Sequence, residues 1–435
     1  MKTVFTVALL AICATLCFGF SVSDNHVQVE RIILVHRHGA RTPIANISGA
    51  CGKEPCGELS AAGESMLRSL GRHLRETYAF LPNTYDLGAF ANHADTIDRT
   101  IQSSAAMLHG LFEFNESYQF YPAIKTVKSS YTAMLPWNSY PIYLLHTATT
   151  ADSLGDYALR TYLGKPGYPT SEEIIAVGNE TKNTYCSLGL NPCFSVSYDF
   201  LTVMITLGKF DEYPTAVSVW SKYQKLFNVI MRLQQYDYDA VVANTSFFED
   251  AGYPGSYLAQ EIAESALHSG PALHEWSGHD TTLMPLFVAL GNTTFVYPDF
   301  ATTLIFEIFS KNGTKQLRAK LGSPEQTPGD HPYTFGDFAL QCLDQGNRQY
   351  TVTSEGCPVN DFRRYIESRS NPAPLGVCGV LESDKEYNLC PGSNTTAAPP
   401  DTTCYIFRNT CPYSACGTSR YMTKNLGCSD LSGDL

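Results

Sequence analysis

The chain has two places where a short apolar run leads into a helical pattern. Residues 32–35 form a β-branched, strand-like run, and residues 274–277 form a second one. Ser60 precedes a helical pattern with apolar residues on one face, and residues 281–290 form another that Gly291 would end. Strand–helix alternation at both ends of the chain favours a layered α/β core.

A hairpin signal adds antiparallel strands to this core. Residues 302–309 and 316–320 are strand-like, and they flank the segment Lys-Asn-Gly-Thr at 311–314. An Asn-Gly pair favours a two-residue hairpin turn. We therefore expect an α/β fold in which a mixed sheet carries helices on both faces.

The middle of the chain differs from both ends. From 116 to 267 it is rich in Tyr, Trp and Pro, and it contains helix-like stretches such as 216–233. This pattern predicts an inserted, mainly helical cap at 116–267, and an α/β core made of residues 27–115 and 268–372.

Beyond residue 372 the composition changes again, which predicts a Cys-rich extension at 373–435. Six cysteines between Cys378 and Cys428 surround a Thr/Pro-rich link at 393–403, a composition typical of an O-glycosylated stalk. With few apolar residues, this tail would need disulfide bonds to hold a fold. It could mediate attachment or protect the rest of the chain; an appendage stiffened only by disulfide bonds is the alternative.

The N-terminal segment at 1–20 is interpreted as a secretory signal peptide. Lys2 gives a positive start, and an apolar stretch with small residues near its end follows. A signal anchor is the alternative, which the short apolar region and the lack of a stop-transfer pattern disfavour. We expect the protein to be secreted, or to lie in the lumen of the secretory or lysosomal route, without a transmembrane span.

Cysteines and glycosylation sequons agree with export. Of fourteen cysteines, Cys13 and Cys17 lie in the leader, and an even number remains. The candidates for disulfide bonds in the core and cap are Cys51, Cys56, Cys186, Cys193, Cys342 and Cys357. The candidate glycosylation sites are Asn46, Asn115, Asn179, Asn244, Asn292, Asn312 and Asn394.

The net charge of −12 makes nucleic acid an unfavourable partner, since polyanions are drawn to basic surfaces. A small anion in a locally basic pocket remains compatible with this charge.

The stretch His-Arg-His-Gly-Ala-Arg-Thr-Pro at 36–43 carries residues suited to phosphoryl transfer. His38 could attack a phosphate ester through a neutral ring nitrogen. Arg37 and Arg41 could donate to phosphate oxygens in two-point fashion. Gly39 would let the backbone pass close to the ligand.

The stretch Ser-Gly-His-Asp-Thr-Thr at 277–282 could complete this chemistry. His279 could add a hydrogen-bond donor, and a protonated Asp280 could give its proton to the leaving oxygen. Taken alone, each stretch has a simpler explanation, because Arg-His-Gly is often surface charge and a His-Asp pair often caps a helix. We assign His36 to structural support rather than to direct catalysis.

Other mechanisms lack their characteristic residues. The chain contains no Gly-x-Ser-x-Gly motif and no Walker-type loop. The remaining histidines show none of the usual metal-ligand spacings, so we do not expect a metal site.

Four segments, taken in order, resemble those of the histidine acid phosphatases, a branch of the phosphoglycerate-mutase-like superfamily. Residues 37–43 match the family signature Arg-His-Gly-x-Arg-x-Pro, and 277–282 match its second catalytic motif. Residues 57–63 resemble the helix entry that follows the signature, and 97–100 resemble the family's Asp-Arg-Thr segment. The resemblance covers residues 28–370.

The resemblance implies a function for each of these side chains. His38 would be the phosphohistidine nucleophile and Asp280 the proton donor, and phosphate would be bound by Arg37, Arg41, Arg99 and His279. It further implies an α/β core with a helical cap, no cofactor, and the homodimer that is common in the family.

Two positions depart from the family pattern. Ala40 stands where many members have an acidic residue, and residues 93–95 read His-Ala-Asp in place of the frequent Arg-Ser-Thr. We expect both changes to lie near the pocket mouth, so the resemblance does not fix substrate preference.

These observations favour a secreted, glycosylated acid phosphatase that hydrolyses small phosphate monoesters. A phytase-like inositol phosphate phosphatase is one alternative, which the absence of marked basic character at 116–267 disfavours. A catalytically silent secreted binding protein or antigen is the other, and loss of a catalytic residue would have favoured it. Export also disfavours a mutase acting on glycolytic substrates.

Overall fold

The structure is a computed structural model that describes residues 28–53, 55–113, 120–127, 132–136, 154–235, 252–292 and 294–370. In the tail it describes only residues 405, 408, 420–422 and 428–430. The predicted signal peptide at 1–20 and most of the predicted tail at 373–435 lie outside the described residues. So do the candidate glycosylation sites Asn115, Asn244 and Asn394.

A mixed sheet of eight strands forms the centre of the fold. The described strands are β1 (Val29–Arg37), β2 (Phe90–Asp95), β3 (Ile124–Val127), β4 (Leu273–Gly278), β5 (Thr303–Lys311), β6 (Thr314–Pro324), β7 (Tyr333–Phe338), β8 (Leu340–Leu343), β9 (Gln349–Val352), β10 (Cys357–Pro358), β11 (Arg420–Met422) and β12 (Cys428–Asp430). The sheet has the order β10-β6-β5-β1-β4-β2-β3, and β7 pairs with β6. Strands β1, β4, β2 and β3 run parallel, whereas β5, β6, β7 and β10 pair in antiparallel fashion.

Helices cover both faces of this sheet. The described helices are α1 (Ala61–Thr77), α2 (Asp98–Phe112), α3 (Leu154–Tyr162), α4 (Ser171–Glu180), α5 (Leu190–Thr206), α6 (Pro214–Gln235), α7 (Ser256–Leu267), α8 (Asp280–Ala289) and α9 (Val359–Arg369), with 3-10 turns at Thr184–Leu188 and Phe210–Glu212. None of these described helices is long and apolar enough to cross a bilayer.

The two faces of β1 explain the layering. Alternate side chains of a strand point to opposite sides, so Ile32 and Leu34 share a core with α1 and α2. Ile33 and Val35 share the other core with α7, α8 and α9. This arrangement confirms the predicted α/β fold with a mixed sheet between helical layers.

Local sequence explains where these elements begin and turn. Ser60 caps α1, because its side chain accepts a hydrogen bond from the first turn of the helix. In the hairpin, Lys311 of β5 pairs with Thr314 of β6. Asn312 and Gly313 between them have φ angles of 52° and 75°, as the predicted two-residue turn requires.

The range predicted for the cap, 116–267, includes two elements that pack with the sheet. Strand β3 forms the edge of the sheet next to β2, and α7 packs on the core through Leu258 and Ile262. The described helices of this range that lie outside the sheet layers are therefore α3 to α6, whose packed side chains include Phe194 and Tyr223. The exact division into core and cap remains a prediction.

The described residues contain three disulfide bonds between cysteines close in sequence: Cys51–Cys56, Cys186–Cys193 and Cys342–Cys357. Of the candidate glycosylation sites in this part of the chain, Asn46, Asn179 and Asn312 are exposed and Asn292 is half-buried. Their glycosylation remains a prediction.

The crossing of α1 and α2 leaves no room for a side chain at Gly110. A Cβ at this position would lie 2.1 Å from the carbonyl oxygen of Arg68, so Gly110→Ala must push the two helices apart. We expect the substitution to lower the free energy of unfolding by about 1–3 kcal/mol, measured by urea denaturation. Gly336→Ala is the matched control, since a Cβ there would meet no atom within 4 Å. An equal loss in both variants would contradict this explanation.

Candidate active site

Three parallel strands end at the same edge of the sheet. β1 and β4 pair as far as Arg37 and Gly278, and β2 ends at Asp95. Helices α2 and α8 begin at this edge, at Asp98 and Asp280. Such an edge is where open α/β sheets bind ligands, and helix amino termini favour anions. The edge brings together all six predicted site residues: Arg37, His38, Arg41, Arg99, His279 and Asp280.

His38 is a buried imidazole, and among the described residues only one of its ring nitrogens has a hydrogen-bond partner. Its Nδ1 lies 2.8 Å from the carbonyl oxygen of Gly39. Because a carbonyl oxygen only accepts, Nδ1 carries the hydrogen and Nε2 keeps its lone pair. Burial, followed by the charges of Arg37 and the other cations around it, lowers the pKa of His38 well below its ordinary value. This lowering of the pKa favours the neutral form of His38, which is the nucleophilic one.

The two arginines of the first motif are each held by a carboxylate. Nη2 of Arg37 lies 3.0 Å from Oδ2 of Asp280, and Nη2 of Arg41 lies 2.6 Å from Oδ1 of Asp199 in α5. Both guanidinium groups also lie over the ring of Phe300, at 4.4 Å and 5.7 Å from its centroid. These contacts orient both arginines before a ligand arrives.

Arg99 adds a third positive charge from α2. Its guanidinium donates to the backbone oxygen of Gly57 at 3.4 Å, and it lies 3.5 Å from Nδ1 of His279. Burial, and then the neighbouring charge of Arg41, lower the pKa of Arg99 to about 10, so it is still protonated at neutral pH. Three guanidinium groups therefore lie around His38, an arrangement suited to an anion with several oxygens.

His279 connects the end of the sheet to the arginines. Its Nε2 lies 3.0 Å from Oδ2 of Asp95, while its Nδ1 is near Arg99. It is also the N-cap of α8, where its amide donates to the hydroxyl of Thr282. The centroid of its ring is 5.3 Å from that of His38. His279 is thus fixed close to the candidate nucleophile.

Asp280 receives three polar contacts. Its Oδ2 lies 3.0 Å from Arg37 and accepts a 2.8 Å hydrogen bond from the hydroxyl of Tyr297, and its Oδ1 accepts from the amide of Thr281. Burial alone would raise the pKa of this carboxyl, but Arg37, Tyr297 and His279 outweigh it, and the pKa is lowered. The carboxyl therefore favours its ionised form at neutral pH and gains a proton only in acid.

His36 is fully buried and hydrogen-bonded at both ring nitrogens. Its Nε2 lies 2.8 Å from Glu275, and its Nδ1 lies 3.1 Å from the backbone oxygen of Arg37. Glu275 also accepts hydrogen bonds from Asn92 and Ser104. This buried network joins β1, β4, β2 and α2 next to the site, which agrees with the structural role predicted for His36.

The structure corrects the expectation that Ala40 and Asp95 lie near the pocket mouth, and it gives Gly39 a packing role. A Cβ at Gly39 would lie 2.4 Å from the carbonyl oxygen of Gly63 in α1; the close approach of its backbone to a ligand stays a prediction. Ala40 was expected near the pocket mouth but is fully buried in the core, since the loop packs tightly on α1. Asp95 is fully buried too, and it lies inside the site rather than at its mouth.

Three further residues of the site were not predicted. Asp199 lies in α5 and is 158 positions from its partner Arg41, so sequence spacing gave no signal. Tyr297 and Phe300 lie in the loop between α8 and β5. The sequence feature that could have pointed to them is weak, since it consists only of two aromatic residues soon after the second motif.

Comparison with known proteins finds related phosphatases. No family profile matches the chain. It is 24% identical to a lysosomal acid phosphatase of Xenopus laevis over 387 residues, which cover 82% of this chain and 81% of the relative. It is 25% identical to the lysosomal acid phosphatase of Homo sapiens over 389 residues, with coverage of 80% and 84%.

Solved structures share the fold. The phytase from Citrobacter braakii matches with a TM-score of 0.55 at 16% identity, covering 79% of this chain and 98% of that one. The phytase of Hafnia alvei in complex with tartrate matches with a TM-score of 0.56 at 16% identity, with coverage of 82% and 100%. The acid phosphatase relatives support the family predicted from the four motifs, and the solved structures show the shared fold.

Proposed function

We propose that this chain, a member of the histidine acid phosphatase family, hydrolyses phosphate monoesters through a phosphohistidine on His38. One observation carries the proposal: a neutral imidazole with a free Nε2 lies among three guanidinium groups at the end of a parallel sheet. The names of the curated relatives agree with phosphatase activity.

In the first step, Nε2 of His38 attacks the phosphorus, and the bond from phosphorus to the ester oxygen breaks. The leaving oxygen takes a proton from Asp280. The nonbridging oxygens would be bound by Arg37, Arg41, Arg99 and His279.

In the second step, water attacks the phosphorus of the phosphohistidine. The phosphorus–nitrogen bond breaks, and its electron pair returns to Nε2 of His38. Asp280, now a carboxylate, accepts the proton of the attacking water. Inorganic phosphate leaves, and both residues return to their starting forms.

Two features of the site together favour activity in acid. The nucleophile needs to be neutral, and the lowered pKa of His38 keeps it so as pH falls. The proton donor needs to be protonated, and the lowered pKa of Asp280 makes this form abundant only at low pH. Both requirements are met together on the acid side of neutrality.

Small monoesters suit the site better than inositol phosphates do. Arg41 is already paired with Asp199, whose side chain is 20% exposed. A substrate with several phosphate groups needs additional cations for them and would meet this carboxylate instead. The phytase-like alternative is therefore less well supported, although the phytases share the fold.

We further propose that the protein acts in the secretory or lysosomal lumen, or outside the cell, as a glycoprotein. The lysosomal names of relatives, the disulfide bonds and the expected acid optimum support this proposal. Homodimerisation and the lack of binding to nucleic acid stay predictions.

The proposed function is tested by phosphate release from an aryl phosphate between about pH 4 and pH 8, with EDTA present. We expect acid activity that survives the chelator and falls by about 10³-fold or more in His38→Ala. Alkaline denaturation should trap a labelled phosphohistidine in wild type and not in the variant. A wild type that folds but shows no activity would instead favour the alternative of a catalytically silent binding protein.

The role of Asp280 is tested by varying the leaving group in single-turnover experiments. We expect Asp280→Asn to slow the first step with an alkyl phosphate by about 10²–10⁴-fold. With 4-nitrophenyl phosphate the loss should be far smaller, because nitrophenolate leaves without a proton. Equal losses with both substrates would show that Asp280 is not the proton donor.

The hydrogen bond from Tyr297 is expected to set the acid range of the enzyme. Tyr297→Phe removes a donor to the ionised form of Asp280 and so raises the pKa of that carboxyl. The protonated form then persists to higher pH, and the alkaline limb of the kcat profile should move upward. Tyr333→Phe is the control, since that hydroxyl donates to the backbone of Ala301. An unchanged limb in Tyr297→Phe would contradict the assignment.

A further inference from the structure

Asp95 is a fully buried carboxylate next to His279. Its Oδ2 lies 3.0 Å from Nε2 of His279, and the two side chains are 0% and 6% exposed. Burying a charge is costly unless it is paired, and this contact offers the Asp95 carboxylate a hydrogen-bonding partner. The family pattern frequently has an uncharged Thr where this chain has Asp95.

The hydrogen bonds of His279 determine where its protons lie. An ionised carboxylate only accepts, so Nε2 carries a hydrogen directed to Asp95. The other nitrogen, Nδ1, lies 3.5 Å from Nη2 of Arg99 and thus faces the arginine cluster. A phosphate oxygen also only accepts, so Nδ1 can donate to it only if it carries a hydrogen as well. The ring must therefore hold two hydrogens when it binds phosphate.

We propose that Asp95 is a positioning residue that fixes the hydrogen on Nε2 of His279 and balances the charge of its imidazolium form in the phosphate complex. This inference rests on the proposed function, because phosphate is the ligand. When phosphate binds, a proton moves from a hydronium ion or buffer acid to Nδ1: an N–H bond forms there, and the bond between the donor and that hydrogen breaks. Phosphate affinity is thereby coupled to proton uptake.

Charged groups from several elements of the fold face His279. The segment at 132–136, which reaches Thr282, brings no charged side chain. Among the described residues, the titratable and charged groups that surround His279 are Asp95 from β2, Arg99 from α2, Arg37, His38 and Arg41 from β1 and its following loop, and Asp280 from α8, to which Tyr297 donates.

The test is calorimetric titration of the full-length protein with inorganic phosphate at several pH values, in buffers of different ionisation enthalpy. The buffer dependence counts the protons taken up. Phosphate and Asp280 are common to all variants, so the difference between variants reports on His279. We expect Asp95→Asn to bind phosphate about tenfold more weakly at acid pH and to take up about one proton fewer than wild type. The difference in phosphate affinity between wild type and Asp95→Asn should disappear toward alkaline pH.

Two variants serve as controls. Asp98→Asn removes an exposed carboxylate three residues away and should match wild type. Asp95→Thr introduces the residue frequent in the family, and it should behave like Asp95→Asn if charge is what matters. In wild type, nitrogen NMR of labelled histidine should show both ring nitrogens of His279 protonated in the phosphate complex, a readout that needs no variant to fold.

The outcomes separate this inference from the proposed function. Wild-type affinity and proton uptake in Asp95→Asn would overturn it, and so would a loss of affinity that is equal at all pH values, since that indicates a structural role only. If the wild type takes up the proton with phosphate but hydrolyses no ester, the proposed function is contradicted. The positioning role of Asp95 is supported in that case. A wild type that binds no phosphate would overturn both.

Discussion

Three guanidinium groups around a neutral imidazole repel one another, and the site depends on balancing their charges without filling the space between them. Two of the cations are paired with carboxylates from different elements of the fold: Arg37 with Asp280 of α8, and Arg41 with Asp199 of α5. The charge of Arg99 is offset first by Asp280 and then by Asp95 at the end of β2. Since none of these carboxylates contacts the free nitrogen of His38 among the described residues, the balance leaves that nitrogen open to a ligand.

The rest of the core holds this balance in place. The loop after β1 is packed against α1 so closely that neither Gly39 nor Gly63 has room for a Cβ. The buried pair of His36 and Glu275 joins the strands that carry the two motifs. Removing one partner of such a buried pair costs about 3–5 kcal/mol, whereas exposed pairs contribute about 0–1 kcal/mol. Buried contacts rather than surface ion pairs therefore fix the geometry of the site.

The features that depend only on residues close in sequence could be predicted from the sequence. The β-branched run at 32–35, the cap residue Ser60 and the Asn-Gly turn each act within a few residues, and the structure has a strand, a helix start and a hairpin there. The motifs also predicted which side chains would meet at the sheet edge. The contact of Asp199 with Arg41 could not be predicted from the sequence, because it is made by tertiary packing between distant segments. Asp95 stood out only as a departure from a pattern, and its burial against His279 appears once β2 is placed beside β4.

The same charge balance explains why acid conditions suit the proposed chemistry. In the empty site the carboxylates already neutralise the arginines, so an entering phosphate adds negative charge that nothing yet offsets. Protonation of Asp280 removes one negative charge. This change brings the occupied site back toward neutrality and is favoured as pH falls. The proton that Asp280 gains in this way is also the one that the leaving oxygen needs. In the proposed mechanism, substrate charge and the supply of the catalytic proton are therefore linked in one electrostatic balance.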